Sequence, residues 1–204
     1  MGQSATIQDA YISVEIAKSG LEGLSAGLKD HFNASGIVCD VISQESHVSI
    51  AYGEGEVSVE SMDRVATKIA ALAFSVKVDR FELFRGVTTP FDYLVINLEA
   101  DPCFNDALSA AKGCMKTKSF DGGFRSHVSL LKFPKGSFSR AWAERVIGEM
   151  NVCQAAAQAL GRQVSLQGEM VSIFSSDRQR HVTKRFSSEA PEGADQVKTS
   201  LSAA

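Results

Sequence analysis

The 204-residue sequence predicts an α+β fold, and three observations carry that prediction. Short stretches of alternating apolar and polar residues have the period of a half-buried strand. They are separated by segments with apolar residues every three or four positions, the period of an amphipathic helix. The order strand, helix, strand occurs twice, and each closing strand opens on His-x-Ser followed by an apolar residue.

The elements follow in order. Tyr11 to Ile16 alternates and reads as the first strand, with Ile12, Val14 and Ile16 on the core face and Tyr11, Ser13 and Glu15 on the other. Leu21, Leu24, Leu28 and Phe32 give the segment Gly20–Phe32 helical spacing. Gly36 breaks it, and Ile37–Ile42 reads as a strand that turns through residues 43–46 into the first His motif. A flexible Gly-Glu repeat at 53–56 precedes a helix expected over Ser61–Phe74, with Met62, Val65, Ile69 and Leu72 on one stripe. Val76–Phe84 alternates as a strand, and its Phe81 and Phe84 suit a core, with base stacking as the alternative. Thr88-Thr89-Pro90 marks a turn, and Tyr93–Leu98 is apolar enough for a strand covered on both faces.

The second half repeats the plan. A helix is expected over Asn105–Lys116, then a Gly-rich turn at Asp121-Gly122-Gly123, then the second His motif. Ser139–Leu160 reads as the longest helix, capped by Ser137 or Ser139 and ended by Gly161, with Trp142, Val146, Met150, Cys153 and Ala157 as its apolar stripe. Val164–Phe174, interrupted by Gly168, reads as the last strand. The polar stretch 176–204 reads as a flexible or loosely docked tail.

The two motifs are His47-Val48-Ser49-Ile50 and His127-Val128-Ser129-Leu130. Alternation puts His47 and Ser49 on one face of their strand, and likewise His127 and Ser129. Brought together, two such strands give one cleft two imidazoles and two hydroxyls. That set suits phosphodiester chemistry without a metal. A neutral imidazole takes a proton from the attacking oxygen, a protonated one gives a proton to the departing oxygen, and the hydroxyls hold the phosphate as its charge builds. His181-Val182-Thr183 also fits the tripeptide, but Lys184 and Arg185 follow it instead of an apolar run, so it reads as a coincidence.

The paired motifs resemble the signature of the 2H phosphoesterase superfamily, over roughly residues 8–175. The resemblance implies two pseudo-symmetric lobes, roughly 8–85 and 91–175, whose antiparallel sheets line a central cleft. It also implies His47, Ser49, His127 and Ser129 as the catalytic set. Many relatives have Thr at the third motif position. Ser here keeps the hydroxyl but loses the β-branch that limits its rotamers. In character the chain is similar to the phage anti-CBASS enzymes, which hydrolyse the cyclic oligonucleotide messengers of bacterial antiviral signalling. That likeness carries an aromatic on the first strand and an acid on the last to Tyr11 and Glu169. Lys132 and Arg125 are further candidates for neutralising phosphate. The alternatives are an RNA-end or 2',3'-cyclic nucleotide phosphodiesterase of the same superfamily, and a non-enzymatic nucleotide sponge.

Composition narrows the partners. A net charge of −3 argues against a broad footprint on long nucleic acid and leaves room for a small nucleotide in a local pocket. Cys39, Cys103, Cys114 and Cys153 lack metal-ligand spacing, so no zinc and no other cofactor is expected. The residues also give no sign of a signal peptide or of an apolar run long enough to span a bilayer, and the expected compartment is the cytoplasm, that of the host cell if the gene is a phage's.

Overall fold

The computed structural model of the chain describes residues 5–17, 21–42, 46–86, 89–99, 102–119, 125–162 and 164–186. The expected turn at Asp121-Gly122-Gly123, Thr88, and residues 187–204 of the expected tail lie outside the described residues. The elements run β1 (Thr6–Gln8), β2 (Tyr11–Ile16), α1 (Glu22–Ala34), β3 (Asp40–Val41), β4 (His47–Tyr52), β5 (Glu56–Ser58), α2 (Val59–Ala70), β6 (Ser75–Phe84) and β7 (Phe91–Leu98). There follow α3 (Pro102–Lys112), β8 (His127–Pro134), α4 (Arg140–Ala159), β9 (Ser165–Phe174) and β10 (Arg180–Arg185).

Local chemistry sets the helix ends. The Ser58 hydroxyl accepts from the Ser61 backbone N–H and starts α2 two residues before the expected position. Ser139 does the same for α4 by accepting from the Trp142 N–H at 3.2 Å, and Gly161, at φ 71°, follows its end. The strand expected over Ile37–Ile42 shrinks to the two residues of β3.

The sheet order is β3-β8-β7-β6-β9-β2-β4, with β10 added on β9, and every pairing is antiparallel. Of the two motif strands, β4 ends this path and β8 stands one strand in from its other end. They nevertheless lie in contact, so the sheet curls until its ends meet. The result is an α+β fold with one motif strand in each lobe of its antiparallel sheet.

The lobes are not the contiguous halves 8–85 and 91–175. One lobe is β4-β2-β9-β10 and the other is β8-β7-β6 with β3, so the halves exchange their third strands. The helices cross over too. Helix α2 contacts the first lobe and α1 and α4 the second, while α3 packs mainly on β4 of the first and also touches β6. The physical reason is pairing. The open edge of β2 is completed by β9, and that of β7 by β6, each from the other half. Ile12, Val14, Val48, Val171 and Ile173 of the first lobe and Leu94, Ile96, Val128 and Leu131 of the second are fully buried beneath these helices.

A second correction concerns the tail. The chain does not leave the fold at 175. Residues 180–185 form β10, antiparallel to β9, and bury Val182. Its polar residues suit an edge strand with one face in solvent. Thus His181-Val182-Thr183 does lie on a strand, where the His181 ring nitrogen meets the Ser175 hydroxyl at 3.0 Å. The apolar stripe of α4 is only partly covered. Ala143 is its buried residue, while Trp142, Val146 and Met150 are half-buried and Cys153 is exposed.

Candidate active site

Both motif strands are bent at the same place. In β4 the register passes from Ala51 opposite Ile12 to Ser49 opposite Ser13, so Ile50 is an extra residue. In β8 it passes from Leu131 opposite Leu94 to Ser129 opposite Val95, so Leu130 is the extra one. Each is a β-bulge directly after the motif serine. An extra residue flips the alternation beyond it. Tyr52 therefore shares a face with His47 and Ser49, and Lys132 shares one with His127 and Ser129. The cross-strand rows of the first lobe are His47–Glu15, Ser49–Ser13 and Tyr52–Tyr11. Those of the second are His127–Asn97, Ser129–Val95 and Lys132–Tyr93.

In the first lobe the Ser49 hydroxyl is buried and bonded to two phenols, Tyr11 at 2.9 Å and Tyr52 at 3.2 Å. Tyr11 stacks on Tyr52 with centroids 4.7 Å apart, lies 5.9 Å from Phe174, and presents an edge to the His47 ring at 6.0 Å. Burial, then the neighbouring Tyr52, push the Tyr11 phenol well above its ordinary pKa and keep it a hydrogen-bonding alcohol. Glu15, also buried, accepts from the Ser172 hydroxyl and pairs with the Arg180 guanidinium at 3.1 Å.

Tyr11, Ser13, Glu15, His47, Tyr52 and Phe174 line a cleft of about 600 Å³, whose lining does not include Ser49. Lys118, Arg178 and Arg180 also line it. Arg178 is carried by the tight turn between β9 and β10 at φ 65°. There the Asp177 carboxylate takes bonds from the Ser175 hydroxyl and the Gln179 N–H, which hold it below the usual carboxylate range.

In the second lobe the His127 Nδ1–H donates to the Arg125 carbonyl at 2.9 Å. A carbonyl can only accept, so Nε2 is the basic nitrogen of the neutral ring. Phe84 packs against the ring with centroids 4.7 Å apart. Burial lowers the His127 pKa, the Arg125 carbonyl opposes that, and the charge on His47 lowers it further, with Glu82 acting the other way. Strands β4 and β8 are in contact, and the His127 ring feels the charge on His47 across that contact.

The remaining candidates divide. Tyr11 stands in the site. Lys132 lies over the Phe91 ring at 5.1 Å, beyond the bulge in the row that holds Tyr93. Ser129 is half-buried in the row between them, opposite Val95. Arg125 serves His127 through its backbone, while its guanidinium meets Glu82 at 3.4 Å. Glu169 is a correction. It is the extra residue of a bulge between Met170 and Gly168, it is exposed, and it does not line the cleft. Glu15 on the first strand is the buried acid there, as its alternation with Tyr11 and Ser13 allows. Sequence reasoning missed Tyr52, because strict alternation puts it on the wrong face, and Arg178 and Arg180, because they lie beyond the expected last strand. Among the described residues no group of three or more His, Cys, Asp or Glu could hold a metal ion. No helix among them is long and apolar enough to cross a membrane.

No protein-family model and no curated protein matches the sequence. Among solved structures, Usb1 from Kluyveromyces marxianus matches 88% of this chain and 98% of its own, with a TM-score of 0.53 and 12% identity. The same protein with uridine monophosphate matches 86% and 97%, with a TM-score of 0.51 and 12% identity. The MHV ns2 PDE domain matches 64% of this chain and 86% of its own, with a TM-score of 0.44 and 17% identity. At these identities the likeness to Usb1 concerns the fold.

Proposed function

We propose that this chain is a metal-independent phosphodiesterase of small nucleotides, with cyclic di- and oligonucleotides such as 3',3'-cGAMP as its substrates. The observation that supports the reading is the contact between β4 and β8, the strands that open on His47 and His127, with His127 held by its Nδ1–H. A ring with a lowered pKa is neutral at neutral pH and suits the base. In this reading His127 Nε2 takes the proton of a water or ribose 2'-OH as that oxygen bonds to phosphorus. The P–O5' bond breaks, and His47 gives its proton to the departing 5'-oxygen. Ser49 and Ser129 hold the non-bridging oxygens, with Ser49 aligned by Tyr11 and Tyr52.

The cleft supports a nucleotide ligand. Tyr11, Tyr52 and Phe174 offer ring faces to a base, and Lys118, Arg178 and Arg180 offer positive charge to phosphate. Usb1, of like fold, was solved with uridine monophosphate. Hydrolysis of a cyclic messenger would silence the CBASS response that depends on it, and a phage-encoded enzyme would act in the host cytoplasm.

The test is turnover in EDTA of 3',3'-cGAMP and of a 2',3'-cyclic nucleotide, with products read by chromatography. Linearised cGAMP is the expected outcome. Product from the 2',3'-cyclic nucleotide alone would move the chain to the RNA-end branch. Retention of cGAMP without any product would make it a sponge.

A further inference from the structure

A second cavity, of about 340 Å³, opens on the His127 side of the histidine pair. Ligand sites commonly run from about 300 to 1,000 Å³. Its wall includes Arg80, Asn97, Leu98, Phe104, Arg125 and Ser126. Asn97 is opposite His127 across the β7–β8 ladder, and Ser126 precedes His127 in the chain. The cavity therefore adjoins the candidate base, just as the larger cleft adjoins His47.

Among the described residues, two buried polar atoms in this wall have no hydrogen-bond partner, Asn97 Oδ1 and Ser126 Oγ. Asn97 is 5% exposed. Its orientation is forced, because the Glu82 carboxylate accepts from Nδ2, and a carboxylate cannot face an amide oxygen. Oδ1 is thus left as an acceptor in want of a donor. Ser126 supplies a hydroxyl that either donates or accepts. Buried polar atoms are almost always paired, so two orphans in one cavity mark groups that a ligand satisfies. Leu98 and Phe104 give the cavity an apolar side. The Arg80 and Arg125 guanidiniums are about half exposed, and such planes stack on bases or meet phosphate.

We propose that this cavity is a second nucleoside subsite, which receives the base on the far side of the scissile phosphate and reads its edge through Asn97 Oδ1 and Ser126 Oγ. The ligand class is a nucleotide whose base presents an N–H donor beside an acceptor. The proposal rests on the phosphodiesterase reading for its place in the reaction, and it makes the substrate a molecule of at least two nucleosides, one for each cavity.

The test separates binding from turnover. The wild-type protein and Ser126→Ala are titrated with the four nucleoside 5'-monophosphates and with inorganic phosphate. The Asn97 side-chain amide resonances are followed by NMR, and melting is recorded for both proteins. The expected result is movement of the Asn97 resonances with a nucleotide and not with phosphate. Ser126→Ala should weaken that binding about tenfold, the worth of one hydrogen bond. Its melting temperature should hold or rise, because an unpaired buried hydroxyl has been removed. A response to phosphate alone would reduce the cavity to an ion site and overturn the proposal. So would an unmoved Asn97 at millimolar nucleotide, or a lowered melting temperature with binding unchanged. If Asn97 responds and cGAMP is not hydrolysed, the subsite stands and the reaction fails. If cGAMP is hydrolysed with the same KM in wild type and Ser126→Ala, the reaction stands and the subsite fails.

Discussion

His47 and His127 occupy matching places in the two lobes, each followed by a serine and then a bulge, yet their surroundings differ. Across from His47 stands the acid Glu15, and across from His127 the amide Asn97. Ser49 faces Ser13 and is held by two phenols, whereas Ser129 faces Val95. Beyond the bulge, Tyr52 corresponds to Lys132. The repeated strand–helix–strand order gives each lobe one motif strand, and the two strands are in contact. It does not make the two imidazoles alike. A desolvated ring fixed by a carbonyl suits proton uptake, and the proposed reaction leaves the departing oxygen to the other ring.

Replacing the histidines tests that division most severely. His47→Ala and His127→Ala should each slow single-turnover cleavage of 3',3'-cGAMP by about 10²–10⁴-fold. The double variant should lose less than the product of the two, since the pair works as a unit. Near-full turnover by either single variant would remove that residue from the chemistry.

Arg180→Ala tests whether the first lobe needs β10. A buried carboxylate loses its guanidinium partner, so urea unfolding should show a loss of about 1–3 kcal/mol. No measurable loss would make β10 the loosely attached tail that composition suggests. Ser49→Ala should destabilise the chain by about 1 kcal/mol, because two phenols lose a partner. Ser129→Ala should cost less stability, and each serine substitution should slow turnover less than loss of a histidine. Equal unfolding midpoints for the two serine variants would erase this contrast between the lobes.

The smallest effect is the titration of His127. Its folded pKa is lowered, so below about 6.5, the ordinary histidine value, the unfolded chain takes up a proton that the folded chain resists. This contribution to stability is complete above that value and is lost as pH falls through the folded pKa. His127→Phe should flatten that part of the stability curve. His47→Gln should raise the His127 pKa, read from its ring resonances, because a repelling charge is gone. An unmoved His127 would mean that the rings do not sense each other.

Much of this was legible in the sequence, because periodicity is local. Alternation put His with Ser, and Tyr11 with Ser13 and Glu15, on shared faces, and helical spacing found all four helices. The bulges at Ile50 and Leu130 left no mark, since neither carries a glycine or proline and both apolar side chains are buried. Parity beyond them was therefore misread, and Tyr52 with it. The exchange of β6 and β9 was hidden because periodicity reports which face is buried, not which strand is the neighbour. The strand β10 was hidden because an edge strand with a wet face has the composition of a tail. Glu169 was misplaced because its bulge, like the others, depends on a register that only the partner strand reveals.

The exchanged strands govern how the chain is made. During synthesis β2 and β4 emerge before the strand that completes β2, 165–174, which lies far along the chain from both. A lobe that waits for its closing strand keeps an unpaired edge in the interval, which templates the wrong partner. Pairings so distant in the chain also slow the closing step. Separate expression of the two halves should then give insoluble fragments rather than two small domains, and recovery of soluble material should require both halves to be present together.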